Sequence, residues 1–185
     1  MVYILLGTGF EEAEALVTAD VLRRGGLPVS LVGIGGMTVT GAHAITVAAD
    51  VAAEDVKLAS GDMLILPGGM GGVQSIEGSE AAMALACQAA ESDRIWLAAI
   101  CAAPTLLARH RLIGVGNYAV CYPGMEDLLT AAGVTPSMED AVILDETLIT
   151  SKAPGTVFDF ALSLLEVLTD ADTAARIQAD LHYGV

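Results

Sequence analysis

One apolar run that ends in a cysteine constrains the fold of this chain more than any other segment. Residues 95–100 are apolar throughout, which is typical of a strand buried on both faces of a parallel sheet. Cys101 follows at once, and residues 102–110 then have the pattern of a helix whose first turn tolerates Pro104. Cys101 is therefore predicted to lie where a strand turns sharply into a helix, as in a nucleophile elbow that carries sulfur instead of a hydroxyl.

This position leaves two interpretations of Cys101 open. The start of a helix carries positive partial charge and unpaired N–H groups, which favour a reactive thiolate. A free cysteine is otherwise a small, often buried apolar residue, and packing alone explains many of them. The other two cysteines lack the strand-to-helix setting. Cys87 lies in an Ala-rich helical stretch, where packing is the expected role, and Cys121 ends a short apolar run, where its role stays open.

The composition limits the class of protein. A chain of 185 residues is long enough for a sizeable core, and we expect residues 1–185 to form one domain. Hydrophobic residues make up 54% but aromatic residues only 4%, so the core is built from Ala, Val, Leu and Ile, as in layered α/β proteins. A formal net charge of −15 disfavours binding to nucleic acid or to anionic lipid.

The compartment follows from the cysteines and from the hydrophobic pattern. Three unevenly spaced cysteines form neither a disulfide framework nor a CxxC metal motif. The opening residues do not resemble a signal peptide, and no apolar stretch is long enough to span a bilayer. We therefore expect a cytoplasmic protein with no membrane contact and with no metal or organic cofactor.

Apolar runs alternate with helical patterns for most of the length. The predicted strands are residues 2–6, 29–34, 45–47, 63–66, 95–100, 118–121, 142–144 and 147–150. The predicted helices are residues 11–24, 79–91, 102–110, 124–132 and 154–168, with a shorter one from residue 170. This alternation predicts an α/β fold with a doubly wound, mostly parallel sheet, and the last two strands form a hairpin.

Sites in such sheets collect outside the carboxyl ends of the strands, where three loops are expected to meet. They are residues 7–14, residues 67–72 and the elbow at Cys101. The Gly-rich loop 67–72 brings backbone N–H groups close to a substrate, and with the N–H of Ala102 it can form an oxyanion hole. An ordinary βα turn explains the same glycines. Residues 7–9 lack the third glycine of a dinucleotide fingerprint and the Lys-Ser/Thr of a P-loop, which excludes nucleotide binding.

A glutamate cluster opens the first helix. Glu11 and Glu12 are explained by complementarity to the helix dipole and by a solvated face. If Glu14 faces the sheet, its carboxyl is buried, its pKa is raised, and it can donate to a thiolate or shuttle a proton. The histidines offer no partner for the cysteine and are expected at the surface: His43, His110 and His182.

Together these residues resemble the ThiJ/PfpI superfamily, in particular the branch of the parkinsonism-associated deglycase (DJ-one) and bacterial YajL. The motifs that carry the resemblance are residues 9–14 (GFEEAE), 20–24 (DVLRR), 66–69 (LPGG), 98–104 (AAICAAP) and 151–156 (SKAPGT). The resemblance implies a flavodoxin-like sandwich with helices on both faces, and a homodimer. It implies that Cys101 is an oxidation-prone nucleophile, that Glu14 is its protonated partner, and that the N–H groups of Gly69 and Ala102 line the site.

The chain departs from this family pattern at one position. Relatives commonly carry histidine where Tyr122 stands, and a tyrosine is no base near neutral pH, although its hydroxyl can donate to an oxyanion. Cys121 beside it adds a second sulfur, which either resolves an oxidised Cys101 or simply packs. Lys152 stands where relatives often carry arginine, so a cation near the pocket is retained. Ala102 replaces the histidine of the protease-like branch, which argues against peptidase activity.

The resemblance and the residues lead to two functional hypotheses. The first is a cysteine-dependent, glutathione-independent glyoxalase or deglycase, in which Cys101 attacks methylglyoxal or an early glycation adduct and Glu14 moves the proton. The alternative is a redox sensor or oxidative-stress chaperone in which Cys101 is oxidised without turnover.

Overall fold

The alternating strands and helices are present in the computed structural model, which describes residues 1–184. The strands are β1 (Val2–Leu6), β2 (Val29–Gly33), β3 (Thr38–Thr40), β4 (Thr46–Ala48), β5 (Val51–Ala52), β6 (Met63–Leu66), β7 (Trp96–Ile100), β8 (Tyr118–Ala119), β9 (Thr135–Pro136), β10 (Val142–Asp145) and β11 (Leu148–Ser151). The helices are α1 (Glu12–Arg24), α2 (Met70–Glu77), α3 (Glu80–Ala90), α4 (Ala103–Arg109), α5 (Glu126–Ala131), α6 (Val157–Leu168) and α7 (Ala171–Asp180).

Seven strands form the central sheet, in the order β10-β11-β7-β6-β1-β2-β5. Every neighbouring pair is parallel except β10 and β11, which form the predicted antiparallel hairpin. All four residues of β6 are buried, as are the last four of β7, because helices flank the sheet and an inner strand then needs apolar side chains on both of its faces. The predicted fold class is therefore confirmed: a mostly parallel α/β sheet flanked by helices.

The helices pack in two groups. Helix α1 packs against α6 and α6 against α7, while α2 packs against α3 and α4. Helix α3 begins with a side-chain cap, in which the Ser79 hydroxyl accepts a hydrogen bond from the N–H of Ala82. In the described part of the chain, no helix is long and apolar enough to cross a bilayer.

The structure differs from the sequence-based prediction in its smaller elements. Residues 70–77 form helix α2, although their glycines predicted a loop. Residues 38–40 pair with β4 as an antiparallel hairpin, although no strand was predicted there. The short strands β5 and β9 were not predicted, since two residues carry too little periodicity to identify a strand. The other elements agree in type and differ in their ends by a few residues.

Candidate active site

The three predicted loops do meet at the carboxyl ends of β1, β6 and β7. The N–H of Glu11, in the loop after β1, donates to the carbonyl of Gly68, in the loop after β6, at 3.0 Å. Gly68 in turn lies against Cys101, which follows β7. The loop after β1 is also attached to the β3–β4 hairpin, because the N–H of Gly9 donates to the carbonyl of Thr40 at 2.8 Å.

Cys101 has the backbone of a nucleophile elbow. Its φ is +66°, a left-handed conformation that is uncommon for a residue with a side chain and that costs free energy. Two backbone hydrogen bonds hold it there: the Cys101 N–H donates to the carbonyl of Ser151 at 3.0 Å, and the Cys101 carbonyl accepts from the N–H of Tyr122 at 2.8 Å. The residue is 8% exposed, so little of it is in contact with solvent.

Glu14 is fully buried beside this cysteine, so its face of α1 is the one that turns toward the sheet. Its Oε2 accepts a hydrogen bond from the N–H of Gly68 at 2.6 Å. A Cβ on Gly68 would lie 2.7 Å from that oxygen, 2.6 Å from the Cβ of Cys101 and 2.9 Å from its sulfur. Carboxyl and thiol therefore flank the same backbone position, and only a glycine leaves room for both.

Burial dominates the titration of Glu14. It raises the pKa of this carboxyl to about 7, since removal from water disfavours the charged form and the Glu11 carboxylate adds to the effect. The hydrogen bonds from Gly68 and Cys101 act in the opposite direction. With a pKa of about 7, Glu14 keeps a substantial protonated fraction near neutral pH.

Cys101 does not follow the simple expectation that the helix start favours a thiolate. Burial raises its pKa to about 12, and the negative charge of an ionised Glu14 and the hydrogen bond to it act in the same direction. The N–H groups of Gly69 and Ala102 lower the pKa of Cys101, but by less than burial raises it. When Glu14 is protonated its charge is gone and its O–H can donate to the sulfur, so the thiolate depends on the proton that Glu14 holds.

Two backbone N–H groups lie close to the Cys101 sulfur. The N–H groups of Gly69 and Ala102 both act on the sulfur of Cys101. Gly69 has φ +80°, and a Cβ there would lie 2.6 Å from the nitrogen of Glu11, so the close approach of the loop after β1 also requires a glycine. Gly68, whose N–H bonds Glu14, was not singled out from the sequence, since a run of glycines does not indicate which one approaches the site.

The three pocket candidates differ in how the structure places them. Tyr122 is joined to the elbow through its N–H and its side chain is 46% exposed. Cys121 is buried; its thiol donates to the carbonyl of Tyr122 at 3.6 Å, and burial, followed by the Glu126 carboxylate, raises its pKa to about 12. The ammonium group of Lys152 donates to the carbonyl of Met138 at 2.6 Å.

Within residues 1–184, neither the Lys152 ammonium nor the Cys121 thiol hydrogen-bonds to Cys101 or to Glu14. All three cysteines are free thiols. Cys121 therefore has the contacts of a packed residue. Lys152 is the chain neighbour of Ser151, whose carbonyl accepts from the N–H of Cys101.

The expectation that Glu12 belongs to a solvated face is wrong. The residue is 4% exposed, because the β3–β4 hairpin covers it. One carboxylate oxygen accepts from the N–H of His43 at 2.6 Å, and the other lies 2.8 Å from Nδ1 of that histidine. Burial acts to raise the pKa of Glu12, but these hydrogen bonds lower it overall, and they raise the pKa of His43.

Glu11, Glu12 and His43 bring ligand atoms within 4.8 Å of one another, and the His43–Glu12 pair accounts for that proximity without a metal.

A wide cleft of about 930 Å³ lies apart from this site. Its walls come from the segments after β1, β2 and β5 and from α2, α3 and the turn between them: Thr8, Ile34, Gly35, Glu54, Ser75, Gly78, Ser79, Glu80, Ala81 and Ala84. Neither the buried carboxyl nor the strained cysteine faces it. The candidate active site is therefore the surroundings of Cys101, where strain, a perturbed pKa and backbone donors coincide.

These features define the class of protein: a flavodoxin-like α/β domain with a strained cysteine and a buried glutamate at the carboxyl edge of the sheet.

A family model described as DJ-1/PfpI family matches residues 1–167. A Parkinson disease protein 7 homolog from Danio rerio is 35% identical over 180 residues, which cover 96% of this chain and 94% of that protein. The glutathione-independent glyoxalase DJR-1.2 from Caenorhabditis elegans is 38% identical over 158 residues, which cover 85% of this chain and 82% of that protein. The crystal structure of Drosophila melanogaster DJ-1beta superposes with a TM-score of 0.89 at 32% identity and covers 100% of this chain and 98% of that one. The chain belongs to the DJ-1/PfpI family.

Proposed function

We propose that this protein is a cysteine-dependent, glutathione-independent glyoxalase or deglycase that acts on methylglyoxal or on early glycation adducts. The observation that carries the proposal is the Glu14 carboxyl packed beside the Cys101 sulfur, with both groups against Gly68. A nucleophile and a proton carrier in contact are what the chemistry of a small dicarbonyl requires. A relative of this chain is named a glutathione-independent glyoxalase, which supports the same reaction class.

In the first step the Cys101 thiolate adds to the aldehyde carbon of methylglyoxal. The carbonyl π bond breaks onto oxygen, and that oxygen takes the proton from Glu14, which gives a neutral hemithioacetal and an ionised carboxylate. The N–H groups of Gly69 and Ala102 stabilise the developing oxyanion. A pKa of Glu14 at about 7 suits this exchange, because neither protonation state is strongly favoured near neutral pH.

In the second step the ionised Glu14 removes the proton from the carbon that bears sulfur. The electron pair moves through an enediolate, Glu14 returns the proton to the neighbouring carbon, and the hydroxyl proton of the first carbon ends on the second oxygen. The product is a lactoyl thioester of Cys101. Water hydrolyses it to lactic acid, which ionises, and restores the thiol, and the thiol passes its proton back to the Glu14 carboxylate before the next turnover. The net reaction is methylglyoxal plus water to lactate plus one proton.

The test is glutathione-free lactate formation from methylglyoxal by the wild type and by Cys101→Ser and Glu14→Gln. We expect both variants to lose turnover by at least about a hundredfold, the usual scale for loss of a nucleophile or of a general base. Cys121→Ser is the matched control, because it removes a buried thiol that makes no hydrogen bond to the pair. Wild-type turnover in both site variants would overturn the mechanism.

A second candidate function uses the same donors. A protonated Glu14 and the N–H groups of Gly69 and Ala102 surround the sulfur and can hold the oxygens of a sulfinate, which supports redox sensing by Cys101. Titration with peroxide, followed by intact mass and peptide mapping, tests it. We expect two added oxygen atoms on Cys101 alone, whereas equal oxidation of the partly buried Cys87 would contradict a sensing role.

The surroundings of the site complete the proposal. The Tyr122 hydroxyl is proposed to donate to a substrate oxygen, and Lys152 to supply positive charge at the rim. Three free thiols agree with a reducing cytoplasm.

We also propose a homodimer, as the resemblance implies. Sedimentation velocity at micromolar concentration tests it: a species of about 19 kDa, the mass of one chain, would contradict the dimer.

A further inference from the structure

Two buried oxygen atoms on helix α1 have no hydrogen-bond partner in the described structure. They are Oε1 of Glu14 and Oγ1 of Thr18, and both residues are fully buried. A buried polar atom without a partner costs free energy, and such groups in native proteins usually mark an ordered water or a functional role. Glu14 and Thr18 are four positions apart on one helix, so their side chains are neighbours on the same face.

The two oxygens of the Glu14 carboxyl face different surroundings. Oε2 accepts from the Gly68 N–H, so it has a partner. Oε1 has none. Thr18 offers a hydroxyl that both donates and accepts, and side chains in a helix lean toward its N-terminus, which for Thr18 is the turn that holds Glu14.

We propose that Thr18 holds a buried water against Oε1 of Glu14 and is thereby a positioning residue for the proton that Glu14 shares with Cys101. The Cβ atoms of residues four apart on a helix are about 5–6 Å apart, and a buried polar site with two unpaired partners is the kind that retains water. The water accepts from the Thr18 hydroxyl and donates to Oε1. Because this bond strengthens when the carboxyl is charged, Thr18 stabilises the ionised form of Glu14 and lowers its pKa relative to a site without the hydroxyl.

Few other groups act on this carboxyl. The Cys101 thiol comes from the elbow after β7, and the Glu11 carboxylate precedes α1. The loop after β6 contributes the uncharged N–H of Gly68. The ionisable side chains on the strands and the helix packed against α1 are Tyr3 on β1, and Asp159 and Glu166 on α6. Asp159 accepts from the Tyr183 hydroxyl and Glu166 is exposed, so neither replaces the Thr18 hydroxyl at Oε1.

The test compares Thr18→Val, which keeps the shape without the hydroxyl, with Thr18→Ser, which keeps the hydroxyl. The readout is the rate at which iodoacetamide alkylates Cys101 between pH 5 and pH 9, measured by peptide mass. We expect the inflection due to Glu14 to move up by about one pH unit in Thr18→Val, the scale of one lost hydrogen bond to a carboxylate, and to stay in place in Thr18→Ser. A Thr18→Val profile that superposes on the wild type would refute the proposal, as would an equal shift in both variants.

A high-resolution crystal structure of the wild-type protein gives an independent answer if Thr18→Val fails to fold. A water within hydrogen-bond distance of both oxygens supports the proposal, and a Thr18 hydroxyl bonded to the main-chain carbonyl of Glu14 contradicts it. As a positioning residue for turnover, Thr18 rests on the proposed function. Alkylation needs no turnover, so an enzyme inactive toward methylglyoxal still shows the pH shift, and a failed shift leaves the glyoxalase test untouched.

Discussion

Gly68 is the single residue on which the geometry of the Glu14–Cys101 pair depends most directly. Its N–H bonds the carboxyl, and the absence of a side chain leaves the space in which carboxyl and thiol lie together. The backbone there cannot move away freely, because the carbonyl of Gly68 also accepts from the N–H of Glu11. A side chain at this position must therefore displace either the acid or the nucleophile.

The variant Gly68→Ala tests this dependence. We expect a loss of stability of about 1–3 kcal/mol from overpacking, and a fall of about a hundredfold in Cys101-dependent turnover, because the reacting groups are displaced by a sizeable fraction of an ångström. Urea unfolding and lactate formation measure the two effects. Gly155→Ala is the matched control, since a Cβ there meets no atom within 4 Å, and it is expected to change stability by less than about 0.5 kcal/mol. Equal effects in the two variants would contradict the packing argument.

The sequence predicted Cys101 and Glu14 but not the residues that hold them. The strand-to-helix transition and the first-turn position are local patterns, so Cys101 and Glu14 could be named from them. The role of Gly68 depends on which of several glycines approaches another loop, and that is a tertiary property. Glu12 was placed on the solvated face for the same reason, because the hairpin that covers it lies about thirty residues away along the chain.

At the scale of elements, helix α2 shows where tertiary packing overrides local preference. Residues 70–77 include two glycines, each of which disfavours a helix by about 1 kcal/mol relative to alanine. The helix forms because it lies against the loop after β1: a Cβ on Gly72 would come within 2.6 Å of the Cα of Phe10. The glycines that obscured the helix in the sequence are thus the residues that allow its close approach.

Helix α3 depends on a cap that a single substitution removes. Ser79→Ala deletes the hydroxyl that accepts from the N–H of Ala82, and we expect a loss of about 1 kcal/mol in the free energy of unfolding. Thermal and urea unfolding measure it. Ser163→Ala in the middle of α6 is the control and is expected to be neutral or slightly stabilising, since alanine is the better helix former. A loss in Ser163→Ala as large as that in Ser79→Ala would refute the capping argument.

At the scale of the whole molecule, the buried Glu14 makes global stability depend on pH. Its pKa rises from an ordinary 4.5 to about 7 on folding, so between these values the folded chain binds more protons than the unfolded one. Its contribution is complete below pH 4.5 and is lost as the pH rises through 7. The full difference corresponds to about 3 kcal/mol.

Glu14→Gln removes that dependence. We expect the free energy of unfolding of the wild type to fall more steeply between pH 5 and pH 8 than that of the variant, by up to about 3 kcal/mol over the range. Urea titrations at several pH values measure it. Glu166→Gln on the exposed surface of α6 makes the same change in net charge and is expected to keep the wild-type slope. Parallel curves for the wild type and Glu14→Gln would show that Glu14 is ionised throughout.

The two outer strands of the central sheet also affect how copies of the chain meet in a concentrated solution. One edge is β5, with only two residues, and the other is β10, with four. At the end of β10 the Asp145 carboxylate accepts from the N–H of Tyr118, so a neighbouring segment already occupies that side. A growing fibril needs a long row of free backbone donors and acceptors as its template, and neither border supplies one. While the chain stays folded, its apolar parallel sheet is shielded from recruiting strands of other molecules.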